Sequence, residues 1–178
     1  MKYAGYLLRQ SKHGLFLWIL GTSMVFAQDK KLEKIAAVSL PPIPASFQPY
    51  VDSLKLLVKE KNDSAKAAVF LEEASRFRAK NATKCIALAT EAYKYARKAK
   101  NLTQEAKVYM HVGMSYFFDG NFQQALSYYF KALSIYQKQD DEISAAFVIK
   151  EIAVLYGKNV GYKQAKNFNL YAMSIFKK

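Results

Sequence analysis

An all-α fold of stacked helix-turn-helix units, an α-solenoid, is predicted by three observations on this 178-residue chain. The stretch Ala106 to Lys138 recurs forty residues later on Ala146 to Lys178. Identical pairs include Ala106/Ala146, Val108/Val148, Tyr116/Tyr156, Gln124/Gln164, Ala125/Ala165, Ala132/Ala172, Ser134/Ser174 and Ile135/Ile175. Self-similarity at a fixed period of this size marks stacked repeats. Within the unit, small residues stand where two helices approach closely (Gly113, Ala125, Ala132). Larger apolar ones stand between them at helical spacing (Tyr109, Val112, Tyr116, Phe122, Tyr129). Finally, the four prolines cluster early, so long helices are permitted over everything after them.

Composition sets the outer limits. A hydrophobic content of 52% and an aromatic content of 15% allow one ordinary packed domain and exclude general disorder. The net charge of +13 is high for the size. The single Cys85 cannot form an internal disulfide, and no Cys/His cluster offers a metal or haem site, so no cofactor is expected. Cys85 aligns with Ala125 and Ala165, which makes it a small buried residue rather than a reactive thiol.

Residues 1–27 have the layout of a secretory signal peptide: Lys2, Arg9 and Lys12, then the apolar run Gly14 to Phe26, then Ala27 before Gln28. The run is too short for a spanning helix, which needs about 20 residues. Cleavage after Ala27 and an exported, periplasmic or cell-envelope location are therefore expected; the alternative is an uncleaved anchor. Removal of the leader leaves 24 basic and 14 acidic side chains, a net of +10. Outside the cell such a charge meets anionic lipids, polymers and acidic proteins, so no nucleic acid partner is expected. Contact with a membrane is expected only through the signal or the surface charge. Many of the lysines, such as Lys94, Lys98 and Lys138, fall on solvated helix faces or ends, which explains them without a ligand.

Residues 28–49, with Pro41, Pro42 and Pro44, read as an extended linker that gives distance or a loose amino terminus. From Tyr50, the spacing of Val51, Leu54, Leu57 and Val58 predicts a capping helix over 50–61. A first repeat follows over 65–100, with helices near Ala65 to Ala79 and Ala82 to Ala99. Its second helix keeps the forty-residue register, whereas its first is slipped by one, so the turn between them should be one residue shorter. The second repeat covers 102–139, with helices over 102–118 and up to Lys138. The third covers 142–178, with helices from Glu142 to Tyr156 and from the Gly157 to Gly161 turn onward. Three N-x-S/T sequons, at Asn62, Asn81 and Asn101, fall at helix junctions, where capping explains them without a sugar.

These residues resemble the tetratricopeptide repeat (TPR). Its commonest unit is 34 residues, and the surplus here is expected at the inter-repeat ends, around Gln137 to Glu142. The leader, the proline spacer and the long repeat resemble the amino-terminal sensory regions of bacterial envelope sensor kinases and regulators. The resemblance implies a groove lined by the first helix of each repeat. Its inward positions are Lys107, Met110, Met114, Phe117 and Phe118 in the second repeat. In the third they are Phe147, Lys150, Val154 and Lys158, and in the first Leu71, Ser75 and Arg78. Such a groove suits a protein or peptide with apolar anchors and acidic flanks; the alternative for the Met and Phe side chains is packing between helices. The family's carboxylate clamp is absent, because Leu71, Ser75, Met114, Phe147 and Glu151 hold its places.

No enzyme is expected. The mature chain has one histidine, His111, mid-helix and without the signature of an activated nucleophile, so a solvated or satisfied helix histidine is the reading. Gly157-Lys158 lacks the rest of a phosphate loop, and Asp140-Asp141 look like helix-start charges. The sequence stops inside the last helix, whose apolar face would need a second subunit or further chain to cover it. Homodimerisation through that helix is one expectation and membership of a longer sensor protein the other. The function these features imply is a non-catalytic protein-protein or peptide interaction scaffold of the envelope, with a basic structural protein binding anionic surfaces as the alternative.

Overall fold

The computed structural model describes residues 39–159 and 161–176. The expected signal segment 1–27 and the spacer up to residue 38 lie outside the described residues. Among the described residues there are seven α-helices and no strands: α1 (Gln48–Leu57), α2 (Asp63–Phe77), α3 (Ala82–Lys98), α4 (Leu102–Phe118), α5 (Phe122–Lys138), α6 (Glu142–Asn159) and α7 (Tyr162–Phe176). A 3-10 turn, Ala45–Phe47, precedes α1. From α2 onward each helix packs on its sequence neighbours, and α2 also meets α4, so the first helices of the first two repeats lie side by side. This is a TPR-like α-solenoid.

The helix starts follow from one residue type at one spacing. Asn62, Asn81, Asn101 and Asn121 each accept, through Oδ1, the backbone N–H three residues ahead, at 2.9 to 3.2 Å. Asp141 does the same for Ser144 at 3.0 Å. Each such cap satisfies an amide that the helix itself leaves free, at about 1 kcal/mol. The sequon asparagines are thus capping residues, and Asp141 is the helix-start charge that its position suggested.

The helix ends repeat as well. The N–H groups of Asn101, Asn121, Asp141 and Gly161 reach back five residues to the carbonyls of Ala96, Tyr116, Tyr136 and Tyr156, at 2.8 to 3.0 Å. The residue before each of the first three caps has positive φ: Lys100 (52°), Gly120 (77°) and Asp140 (54°). This is the Schellman closure. The first repeat lacks it: Asn81 N–H bonds the carbonyl of Phe77, four residues back. Its caps, Asn62 and Asn81, are one residue closer than Asn101 and Asn121, which is the shorter turn the register slip predicts. The surplus over a 34-residue repeat is not in the loops. Helices α4 and α5 have 17 residues each, and only three residues separate α5 from α6.

The core forms two apolar clusters. One joins α1 to α5 through Val51, Phe70, Leu88, Val108, Val112 and Tyr128. The other joins α4 to α7 through Tyr129, Leu133, Ile149, Ile152, Leu155 and Phe168. Tyr109 and Tyr116 pack against both. Close approach of α4 to α5 depends on Gly113, where a Cβ would lie 2.7 Å from the Tyr129 ring.

The capping helix is pinned by polar contacts. Tyr50 Oη donates to Glu73 Oε1 at 2.5 Å, and the Lys84 ammonium lies 3.7 Å and 4.0 Å from the ring centroids of Tyr50 and Phe77. Buried Glu91 takes Lys55 of α1 at 3.3 Å and Lys94 at 2.7 Å.

The described end of the expected linker is not a loose spacer. Leu40 and Ile43 pack into the first cluster, and the carbonyls of Ser39 and Pro41 accept hydrogen bonds from Tyr128 and Thr90. The prolines do keep residues 39–44 non-helical, but bound along the array.

Candidate partner-binding groove

Helix α2 lies beside α4, and α6 reaches α4 through a side chain, so residues spaced three and four apart can form a row across the repeats. The row is continuous in its middle. Arg78 Nη1, at the end of α2, lies 3.9 Å from Met114 Sδ on α4. Met110, Met114 and Phe117 follow at four and three residues, each partly exposed and each packed against the second apolar cluster. Lys158 of α6 places its ammonium 5.0 Å from the Phe117 ring centroid. Phe117 also meets Phe118 (5.6 Å) and Phe122 (5.8 Å). Phe118 itself is 55% exposed. The Met and Phe side chains therefore pack against a neighbouring repeat and still present surface between two cations, with Lys107 exposed one turn before Met110.

Four expected positions lie outside this continuous row. Leu71 is only 6% exposed, inside the first apolar cluster, so it offers a partner almost no surface. Phe147 is 51% exposed, with its ring against Phe176 of α7, 5.0 Å away. That contact sets it at the crease between α6 and α7. Lys150 pairs with its neighbour Glu151 at 3.5 Å and lies 5.9 Å from the Phe147 ring centroid, and Val154 is 40% exposed one helical turn on.

A model of the soluble NSF attachment protein (SNAP) family matches residues 46–174, from the turn before α1 to the last turns of α7. The chain belongs to the SNAP family. No curated protein and no solved structure matches it. SNAP-family proteins are helical adaptors that work by holding protein partners rather than by catalysis. The matched span in this SNAP-family chain includes the whole candidate row from Arg78 to Lys158.

The row also has an electrostatic feature that sequence reading missed. His111, one turn beyond Lys107 and one turn before Met114, is partly buried, and its Nδ1 is enclosed without a hydrogen-bond partner. Burial, then the positive charges of Arg78 and Lys107, hold its pKa down to about 4. The ring is neutral at neutral pH, and its Nδ1 is not satisfied as its sequence position suggested. The available signal was its spacing: positions 107, 111 and 114 share one helix face. Cys85 lies beneath, buried, with Sγ 3.9 Å from the His111 carbonyl, and burial pushes its thiol pKa up. That places Cys85 as the small core residue its register predicts.

Proposed function

We infer that this SNAP-family chain is a non-catalytic adaptor that holds a protein or peptide segment along the row from Arg78 through Met114 and Phe117 to Lys158. The observation that carries this reading is the row itself: soft apolar side chains at helical spacing, half exposed, with a cation at each end. Met adapts its shape to varied partners, and the terminal cations select acidic flanks. The leader and proline segment favour an exported, cell-envelope setting, as in the sensory TPR regions that feed signal-transduction domains. A direct check is the amino-terminal residue of the protein recovered from the envelope fraction, expected to be Gln28.

The test of the row uses a helical peptide with two Leu anchors four residues apart and Glu at both ends. Met114→Glu and Phe117→Ala should each weaken its binding at least tenfold, and binding to the unaltered chain should persist at 0.5 M salt, where exposed charges are screened to a few ångströms. Equal binding by the variants would sink the reading. Loss of all binding in salt would favour the basic surface-attachment alternative.

Self-association through α7 is a second part of the proposal. Leu170, Met173 and Phe176 are 54%, 50% and 44% exposed, and Phe176 meets the exposed Phe147, apolar surface of the kind that marks interfaces. Light scattering at several concentrations should show a dimer in the unaltered chain and a monomer in Met173→Glu.

A further inference from the structure

Residues 39–44 form an extended peptide bound across α3 and α5, and their contacts define a site. Pro44 has φ −62° and ψ 142°, the polyproline II values. That helix has three residues per turn, so positions three apart share a face. Leu40 and Ile43 are three apart, and both pack into the first apolar cluster, while Pro42 between them is exposed. A polyproline II segment makes no internal hydrogen bonds, so its carbonyls are free for recognition. Here Tyr128 Oη of α5 donates to the Ser39 carbonyl at 2.8 Å, and Thr90 Oγ1 of α3 donates to the Pro41 carbonyl at 3.2 Å.

The floor behind these donors is aromatic. Tyr93, Tyr109, Tyr128 and Tyr116 stand in a ladder with successive ring-centroid distances of 5.7, 6.2 and 5.5 Å. All four belong to or pack against the same cluster as Leu40 and Ile43, and Tyr128 is 1% exposed beneath them. Aromatic floors with hydroxyl donors aimed at carbonyls are the general means of reading proline-rich peptides.

We propose that this tyrosine and threonine channel between α3 and α5 is a recognition site for extended proline-rich segments. The chain's own Leu40-Pro41-Pro42-Ile43-Pro44 occupies it, and a partner segment of the same chemistry exchanges with that strap. The partner segment is uncharged, holds the polyproline II conformation and carries an apolar side chain at every third position. Because the strap is tethered, its effective concentration is in the millimolar range, so a free peptide binds well only where the strap is weakened.

The test is fluorescence anisotropy with a labelled peptide of sequence VSLPPIPASF titrated into the full chain. Ile43→Asp puts a charge on the buried face of the strap, and should bind the peptide at least tenfold more tightly than the unaltered chain. Adding Tyr128→Phe and Thr90→Val removes both donors while keeping their shape, and should abolish that gain. Pro41→Gly with Pro42→Gly loosens the strap and leaves Leu40 and Ile43 in place; it should give the same release, and decides the matter if Ile43→Asp does not fold. The proposal is overturned if released chains bind no more tightly than the unaltered one. It is equally overturned if a peptide with its three prolines replaced by alanine binds as well, or if the gain survives loss of both donors.

Discussion

Gly113 and Tyr129 face each other across the α4–α5 contact so closely that the glycine's missing Cβ would lie 2.7 Å from two ring carbons, and 3.3 Å from the Ala125 carbonyl oxygen. Two effects oppose each other in Gly113→Ala. Helix propensity favours alanine by about 1 kcal/mol. Overpacking a buried, 1% exposed ring costs about 1–3 kcal/mol, because neither the ring nor the backbone oxygen can give way cheaply. The substitution should lower stability, by up to about 2 kcal/mol on balance. In a double-mutant cycle with Tyr129→Leu the losses should be less than additive. A raised urea midpoint for Gly113→Ala would show that the two helices are not held at this distance.

The three positive-φ turn positions make a paired prediction. At Lys100 a side chain sits in the left-handed region, at a cost of about 1 kcal/mol that glycine avoids. Lys100→Gly should raise stability by several tenths of a kcal/mol, the turn gain offsetting the entropy glycine adds to the unfolded chain. Gly120→Ala should lower it by about 1 kcal/mol although nothing lies within 4 Å of the added Cβ. Thermal melts of the two variants should shift in opposite directions.

His111 sets a pH response with a definite sign. Its folded pKa of about 4 lies below the ordinary 6.5, so between those values the unfolded chain binds more protons than the folded one. Its effect is therefore full stability above about pH 6.5 and a progressive loss as pH falls toward 4, on the order of 2 kcal/mol, because water still reaches part of the ring. His111→Gln should flatten that portion of the stability curve. Identical pH dependence in the two proteins would assign the response to other groups.

The capping helix is held by a small apolar face and one hydroxyl, since Val51 is buried but Leu56 and Leu57 are 74% and 78% exposed. The Tyr50 hydroxyl pKa is pushed up to about 12, first by its hydrogen bond to Glu73 and then by burial, so it remains a donor across the neutral range. Tyr50→Phe should cost about 1 kcal/mol. Amide exchange should quicken in α1 well before it does in α3. Uniform quickening would mean that α1 has no separate opening.

The solenoid was legible because its signals are local and repeated. The forty-residue self-match, Gly113 opposite an aromatic, and an Asn or Asp before each helix from α2 to α6 all follow from short-range geometry. Even the one-residue slip of the first repeat has a counterpart in its missing Schellman closure. The candidate row was legible only in its middle, where Met110, Met114 and Phe117 share one helix face. Leu71 was misplaced because its burial comes from a cluster that gathers residues of five helices, which no periodicity encodes. The contact of Phe147 with Phe176, at the far end of the next helix, was not legible for the same reason. The strap was missed for a stricter reason: its hydrogen bonds end on main-chain carbonyls, which every residue carries, and Tyr128 is 89 positions from Ser39.

The neighbours Tyr128 and Tyr129 on α5 serve different apolar clusters, and this bears on how the molecule yields under load. A chain pulled from its carboxyl end would shed α6 and α7 first, leaving α1 to α3 packed, with Tyr109 and Tyr116 as the seam where tearing pauses. Force spectroscopy would then record two rips of unequal length rather than one. An adaptor built this way can stretch and recover at one end while its amino-terminal half keeps its shape.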